Sequence, residues 1–79
     1  MKKTDYTDRK RILIIDDHPL FREGIKTIIN KDCRFVIIGE AGSGNEGIEL
    51  VKQHNPDIVI IDISLPDISG LQILREIKD

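Results

Sequence analysis

The residues best placed to do chemistry are three carboxylates. Asp16 and Asp17 follow the apolar run Ile12-Leu13-Ile14-Ile15, and Asp62 follows a second, Ile58-Val59-Ile60-Ile61. If these runs are neighbouring strands of one sheet, the acids meet at its carboxyl edge, where open α/β sheets bind ligands. Two carboxylates about 4 Å apart repel by about 4 kcal/mol at an effective dielectric near 20. A small domain has only about 5–15 kcal/mol of net stability, so such a cluster calls for a cation. Oxygen ligands with positions left for water suit Mg2+, which also bridges to phosphate oxygens. The competing account makes these acids helix N-caps, where Asp is common and stabilising. Capping explains one of Asp16 and Asp17, but not the pair together with Asp62.

A second motif competes for the chemistry. Gly42-Ser43-Gly44-Asn45-Glu46-Gly47 matches G-x-G-x-x-G, and Asp62 lies 20 residues beyond Gly42, about where a ribose-binding acid belongs. Three points oppose a dinucleotide site. It leaves Asp16 and Asp17 without a role. Glu46 would stand beside the pyrophosphate. A chain of 79 residues is also too short for the two βαβαβ halves that such cofactors span.

The elements that must position the acids are legible in the pattern. Ile12 to Ile15 is short, β-branched and apolar throughout, as a strand buried on both faces requires. Pro19 suits a helix first turn, and Phe21, Ile25, Ile28 and Ile29 form one face of a helix over Pro19 to Asn30. Phe35 to Ile38 reads as a second strand, ending at Gly39. Ser43 and Glu46 form a capping box that opens a second helix, carrying Ile48, Leu50 and Val51 and stopping near His54-Asn55-Pro56. The third strand is Ile58 to Ile61, and Ile63 to Asp67, with Pro66, reads as loop. Ser69 and Gln72 form a second capping box, with Ile68 and Ile73 placed as a hydrophobic staple, and Leu71, Leu74 and Ile77 continue the helix. The order β-α-β-α-β-α implies a parallel sheet with right-handed crossovers.

Composition bounds the function. Twelve basic and 14 acidic residues give a net charge of −2, which excludes an overall basic nucleic-acid binder. Residues 1 to 11 carry +3 of charge and the remainder −5. The first ten residues read as a charged, solvated tail, with a short partner-touching basic arm as the alternative. The longest uninterrupted apolar runs have four residues, far short of the roughly 20 a membrane span needs, and the N-terminus lacks the apolar stretch of a secretory signal. A cytoplasmic protein with no membrane contact is expected. The single cysteine, Cys33, excludes an internal disulfide and a Cys-based zinc site, and reads as an inert thiol.

The segment Ile14-Ile15-Asp16-Asp17-His18-Pro19-Leu20-Phe21-Arg22-Glu23-Gly24 resembles the start of a two-component response-regulator receiver domain, and its His-Pro resembles the NarL/FixJ subfamily. Asn55 to Gly70, with Asp62-Ile63-Ser64-Leu65-Pro66 at its centre, is similar to the family's phosphoacceptor strand and loop. The resemblance covers residues 11–79 and implies the flavodoxin-like (CheY-like) doubly wound sheet of strand order 2-1-3-4-5, here incomplete. It makes Asp62 the phosphoacceptor, taking a phosphoryl group from a sensor histidine kinase or a small acyl phosphate. It makes Asp17 and Asp62 ligands of Mg2+ with the Ser64 carbonyl, and has Asp16 act mainly through a bound water. Pro66 and Gly70 would shape the loop and helix start. The implied role is signalling rather than enzymatic, with at most slow self-dephosphorylation.

Gly47 departs from the family, which has Ala there. A helix-interior Gly costs about 1 kcal/mol, so a weakened second helix is expected. The 79 residues also hold no fourth or fifth strand, which in the family deliver a hydroxyl and a lysine to the phosphoryl group, and no helix-turn-helix region for DNA. Lys10 and Lys78 lie too far off to substitute. The expectation is therefore a receiver truncated after its third strand and helix, weak in phosphotransfer. The alternatives are a metal-binding or partner-docking fragment and a non-functional gene remnant. Helix one would stand alone on one face of the sheet, with helices two and three on the other. Strand three would be an edge, favouring partial disorder or receiver–receiver association.

Overall fold

The computed structural model describes residues 8–78. The elements are β1 (Lys10–Ile15), α1 (Pro19–Asn30), β2 (Phe35–Ala41), α2 (Gly44–His54), β3 (Ile58–Ile61) and α3 (Gly70–Lys78). The three strands are parallel in the order β2-β1-β3, so β1 is central and its last four residues are buried. Part of the expected charged tail, residues 1–7, lies outside the described residues.

Each boundary has a local cause. Pro19 opens α1 behind His18, which caps with its backbone alone. Ser43 Oγ accepts from Glu46 N at 3.2 Å, and Ser69 Oγ accepts from Gln72 N at 3.1 Å, so both serines cap as the sequence predicts. The Glu46 carboxylate reaches back past the cap to Gly42 N at 3.0 Å. Asn55 closes α2 in the left-handed conformation, φ 47°, a conformation asparagine tolerates.

One strand boundary differs from the sequence expectation. β2 does not end at Gly39 but runs on through Glu40 to Ala41. Ile12 pairs with Ile37 while Leu13 pairs with Gly39, so Ile38 is an extra residue in a local irregularity. A Cβ at Gly39 would lie 3.0 Å from Leu13 Cδ1, so here glycine admits a close neighbour and is not a terminator.

The core is one-sided. Leu13 and Ile15 of β1 join Ala41, Ile48, Val51, Leu65 and Ile73 in a buried cluster under α2 and α3. Ile12 and Ile14 alternate to the other face, also buried, where α1 packs mainly along β2. No residue of α1 is fully buried. Gly47 lies directly on β1, and a Cβ there would come within 2.4 Å of Ile15 Cδ1 and 2.7 Å of Cγ1. The glycine therefore lets α2 settle onto a fully buried isoleucine.

Candidate metal and phosphoacceptor site

The sheet itself brings the acids together. Asp16 N donates to Ala41 O at 3.0 Å, and Asp62 N donates to Ile15 O at 2.9 Å. These bonds carry the β1–β2 and β1–β3 ladders one step beyond the strands, so Asp16 and Asp62 leave adjoining strand ends side by side. Asp17 and His18 follow in the turn into α1.

The side chains converge. Donor atoms from Asp16, Asp17, His18 and Asp62 all lie within 4.8 Å of one another. Asp16 is 2% exposed, and its Oδ1 accepts from His18 N at 2.6 Å, which sets the turn. Asp62 divides its oxygens. Oδ1 accepts from Ser64 N at 2.9 Å and from Ser64 Oγ at 2.7 Å, while Oδ2 faces His18 Nδ1 at 3.2 Å. Asp17 Oδ1 is buried without an aligned hydrogen bond, and His18 Nδ1 stands 2.9 Å from it. A buried carboxylate oxygen lacking a hydrogen bond, among other carboxylates, is a position made for a cation. The donor set therefore fits a divalent ion.

Electrostatics follow from this crowding. The Ser64 amide, then its hydroxyl, hold the Asp62 carboxyl below its ordinary range, with His18 adding to the effect. Asp17, with smaller contributions from Asp16 and Asp62, raises the His18 imidazole above its ordinary value. The turn is also tied from outside. Arg22 donates through Nη1 to the Asp16 carbonyl and through Nε to Glu40 Oε1 at 2.9 Å, and Lys26 Nζ joins Glu40 at 2.7 Å.

Asp16, Asp17 and Asp62 are thus assembled as the sequence implies. Ser64 meets Asp62 through its amide and hydroxyl, two contacts that the expectation of a carbonyl ligand did not include. Sequence reasoning also missed His18 as a member of the cluster, although its adjacency to the acid pair was a signal. It missed Asp67, whose Oδ1 accepts from Gly44 N at 2.9 Å and Oδ2 from Asn45 N at 3.0 Å. These contacts bear on the glycine motif. The amides of Gly42, Gly44, Asn45 and Glu46 are all taken by side-chain oxygens, leaving no cradle for a pyrophosphate. Lys10 begins β1 at its far end, Lys26 pairs with Glu23 and Glu40, and Lys78 is in the last turn of α3. Among the described residues, no helix is long and apolar enough to cross a membrane.

Comparison with known proteins points to one family. The family model for the response regulator receiver domain matches residues 12–79. A nitrate/nitrite response regulator homolog from Haemophilus influenzae is 39% identical over 71 residues, covering 90% of this chain and 34% of that protein. The nitrate/nitrite response regulator NarL of Escherichia coli K12 is 38% identical over 68 residues, covering 86% of this chain and 32% of that protein. Among solved structures, a LuxR-family two-component response regulator from Aurantimonas superposes with a TM-score of 0.84 at 34% identity, over 89% of this chain and 50% of that one. The chain spans about a third of the length of these curated relatives.

Proposed function

The chain belongs to the response regulator receiver domain family of two-component systems, and from that premise we propose that Asp62 is its phosphoacceptor, served by Mg2+ held at Asp16, Asp17, Asp62 and the Ser64 carbonyl. The observation that carries the reading is Asp62 itself. Its backbone amide bonds to Ile15 O at the end of β1, its Oδ1 is occupied by Ser64, its Oδ2 faces His18 Nδ1, and the group stands in one cluster with Asp16 and Asp17.

The division of labour within Asp62 suits nucleophilic attack. Ser64 fixes the carboxylate plane through Oδ1 and keeps the group ionised, which leaves Oδ2 with a free electron pair. In the reaction, Asp62 Oδ2 forms a bond to phosphorus. The P–N bond of a phosphohistidine, or the P–O bond of an acyl phosphate, breaks with its electron pair going to the leaving group. The product is an aspartyl phosphate. Mg2+ supplies charge neutralisation for the phosphoryl oxygens. Asp17 would contribute Oδ1, which has no aligned hydrogen bond, to the ion, and Asp16 holds the turn. The donor would be a sensor histidine kinase or a small acyl phosphate, with the chain acting in the cytoplasm as the regulated part of a transcription regulator.

The lysines described above all lie away from the acids. Loss of one electrostatic donor from such a site costs roughly 10²–10³ in rate, by analogy with oxyanion holes. Incubation with acetyl phosphate and Mg2+, read by intact mass, should give a slow gain of about 80 Da, one phosphoryl group. Peptide mapping should place it on Asp62, and Asp62→Asn should abolish it. An adduct that survives Asp62→Asn would overturn the assignment. No adduct at saturating acetyl phosphate would overturn phosphoacceptance by these 79 residues.

A further inference from the structure

The three acids of the cluster are not held alike. Asp16 is fixed through its side chain by the His18 amide, and Asp62 by the amide and hydroxyl of Ser64. Asp17 Oδ1 has no aligned hydrogen bond to hold it. Where Asp17 points is therefore decided by the backbone on either side of it.

Arg22 grips that backbone twice. Its amide donates to His18 O at 2.9 Å, in the first turn of α1, and its Nη1 donates to Asp16 O. These two carbonyls bracket Asp17. The peptide unit is planar, so orienting the Asp16 carbonyl also orients the Asp17 N–H and Cα beyond it. The guanidinium is held in turn. Its Nε donates to Glu40 Oε1 at 2.9 Å, and Lys26 Nζ donates to Glu40 Oε2 at 2.7 Å, so both oxygens of that carboxylate are occupied. Glu40 belongs to β2, and the clamp thus spans α1, the turn after β1, and β2. A planar fork suits the task, since it meets two acceptors at once in a fixed geometry.

We propose that Arg22 is a positioning residue of the site: it holds the Asp16–Asp17 peptide in the orientation that presents Asp17 Oδ1 to the cation, and Glu40 and Lys26 hold Arg22 in place. The inference rests on the metal-binding part of the function proposed above and adds a residue that ligates nothing. Charge and geometry predict opposite signs for its removal. As a charge alone, a guanidinium beside the acids repels a cation, so its loss would tighten Mg2+ binding. As a clamp, it fixes a ligand's backbone, so its loss weakens Mg2+ binding.

The test is a titration of the 79-residue chain with Mg2+, followed by the amide resonances of Asp17 and Asp62. Arg22→Ala should weaken Mg2+ by about tenfold or more, the scale on which loss of a supporting group around a metal is felt. Arg22→Lys, the milder change, keeps the charge and one donor but not the fork, and should recover part of that loss. Ile73→Val takes a methyl from the buried core under α2 and α3 and serves as the control for general loosening. It should lower the urea midpoint yet leave Mg2+ affinity within about threefold, below the scale of a supporting group. Binding that tightens or stays within about threefold in Arg22→Ala would overturn the proposal. So would a lysine no better than alanine, or an equal loss of affinity in Ile73→Val. If Mg2+ leaves the Asp17 and Asp62 amides of the parent unmoved, the metal reading itself falls and takes this one with it. If Asp17→Ala abolishes binding and Arg22→Ala does not weaken it, only the role of Arg22 falls.

Discussion

Asp67 shows how one side chain can hold a loop against a helix. Its two oxygens take the Gly44 and Asn45 amides, donors that the first turn of α2 leaves without intrahelical partners. A negative charge is favoured there by the helix dipole. The Asn45 amide, then the Gly44 amide, hold the Asp67 carboxyl below its ordinary range. A depressed folded-state value means the stabilisation is present above the unfolded pKa and is lost as pH falls through the folded one. Asp67→Asn should therefore unfold more easily than the parent near neutrality, with the gap closing in acid below the ordinary carboxylate range. Urea melts of both chains across pH would measure it, and a gap independent of pH would refute a role for the charge. Nothing in the sequence announced this contact, because the partners are 23 residues apart and the motifs each stands in do not point to the other. The site acids were legible for the opposite reason. Each directly follows an apolar run, so assigning the strands places the carboxylates.

At the scale of elements, the alternation of apolar runs with capped amphipathic segments was enough to read six elements, their order and the parallel sheet. The capping boxes at Ser43 and Ser69 worked because capping is local chemistry within four residues. Gly39 was misread and the role of Gly47 was missed because their reasons are tertiary. Gly39 admits Leu13 within β2, and Gly47 admits Ile15 beneath α2. At Gly47, alanine would gain about 1 kcal/mol of helix propensity. It would also place a methyl within 2.4 Å of a fully buried side chain, and overpacking of this kind costs about 1–3 kcal/mol. Gly47→Ala should therefore be destabilising by about 1 kcal/mol. Ile15→Val removes the Cδ1 methyl responsible for the closest approach but keeps Cγ1 and Cγ2, at 2.7 and 2.9 Å, so the double variant should recover only part of that loss. Thermal unfolding of the two singles and the double closes the cycle, and additive effects would refute direct contact.

For the molecule as a whole, burial is uneven. The α2–α3 face is packed around Leu13, Ile15 and Ile73, whereas Leu20 is 89% exposed, Ile63 85% and Leu71 70%. β3 is an edge strand of the described sheet, and beside it Val59, Ile61, Ile63, Leu71 and Leu74 line an open apolar groove of about 550 Å³. Contiguous apolar surface and an open strand edge both favour association. The 79-residue chain should therefore sediment as a concentration-dependent mixture. A monomer at every concentration, with a sharp cooperative melt, would contradict this. These exposures were legible in outline, since handed crossovers assign each helix to a face. Their extent was not, because it depends on how deeply each helix seats.

The cluster has one further property, which lies in its spacing along the chain. Three of its four donor residues are consecutive, Asp16, Asp17 and His18, while Asp62 comes from the far end of β3. A bound cation therefore cross-links two points 44 residues apart and can do so fully only when β1 and β3 are paired. It acts as a reversible staple, closing in the folded state a loop that the unfolded chain leaves open. By mass action an ion at 100 times its dissociation constant adds about 2.7 kcal/mol, a large fraction of what a small domain has. In a chain with so much apolar surface uncovered, the supply of a divalent cation bound there would become a determinant of how long it persists intact, before any phosphoryl group arrives.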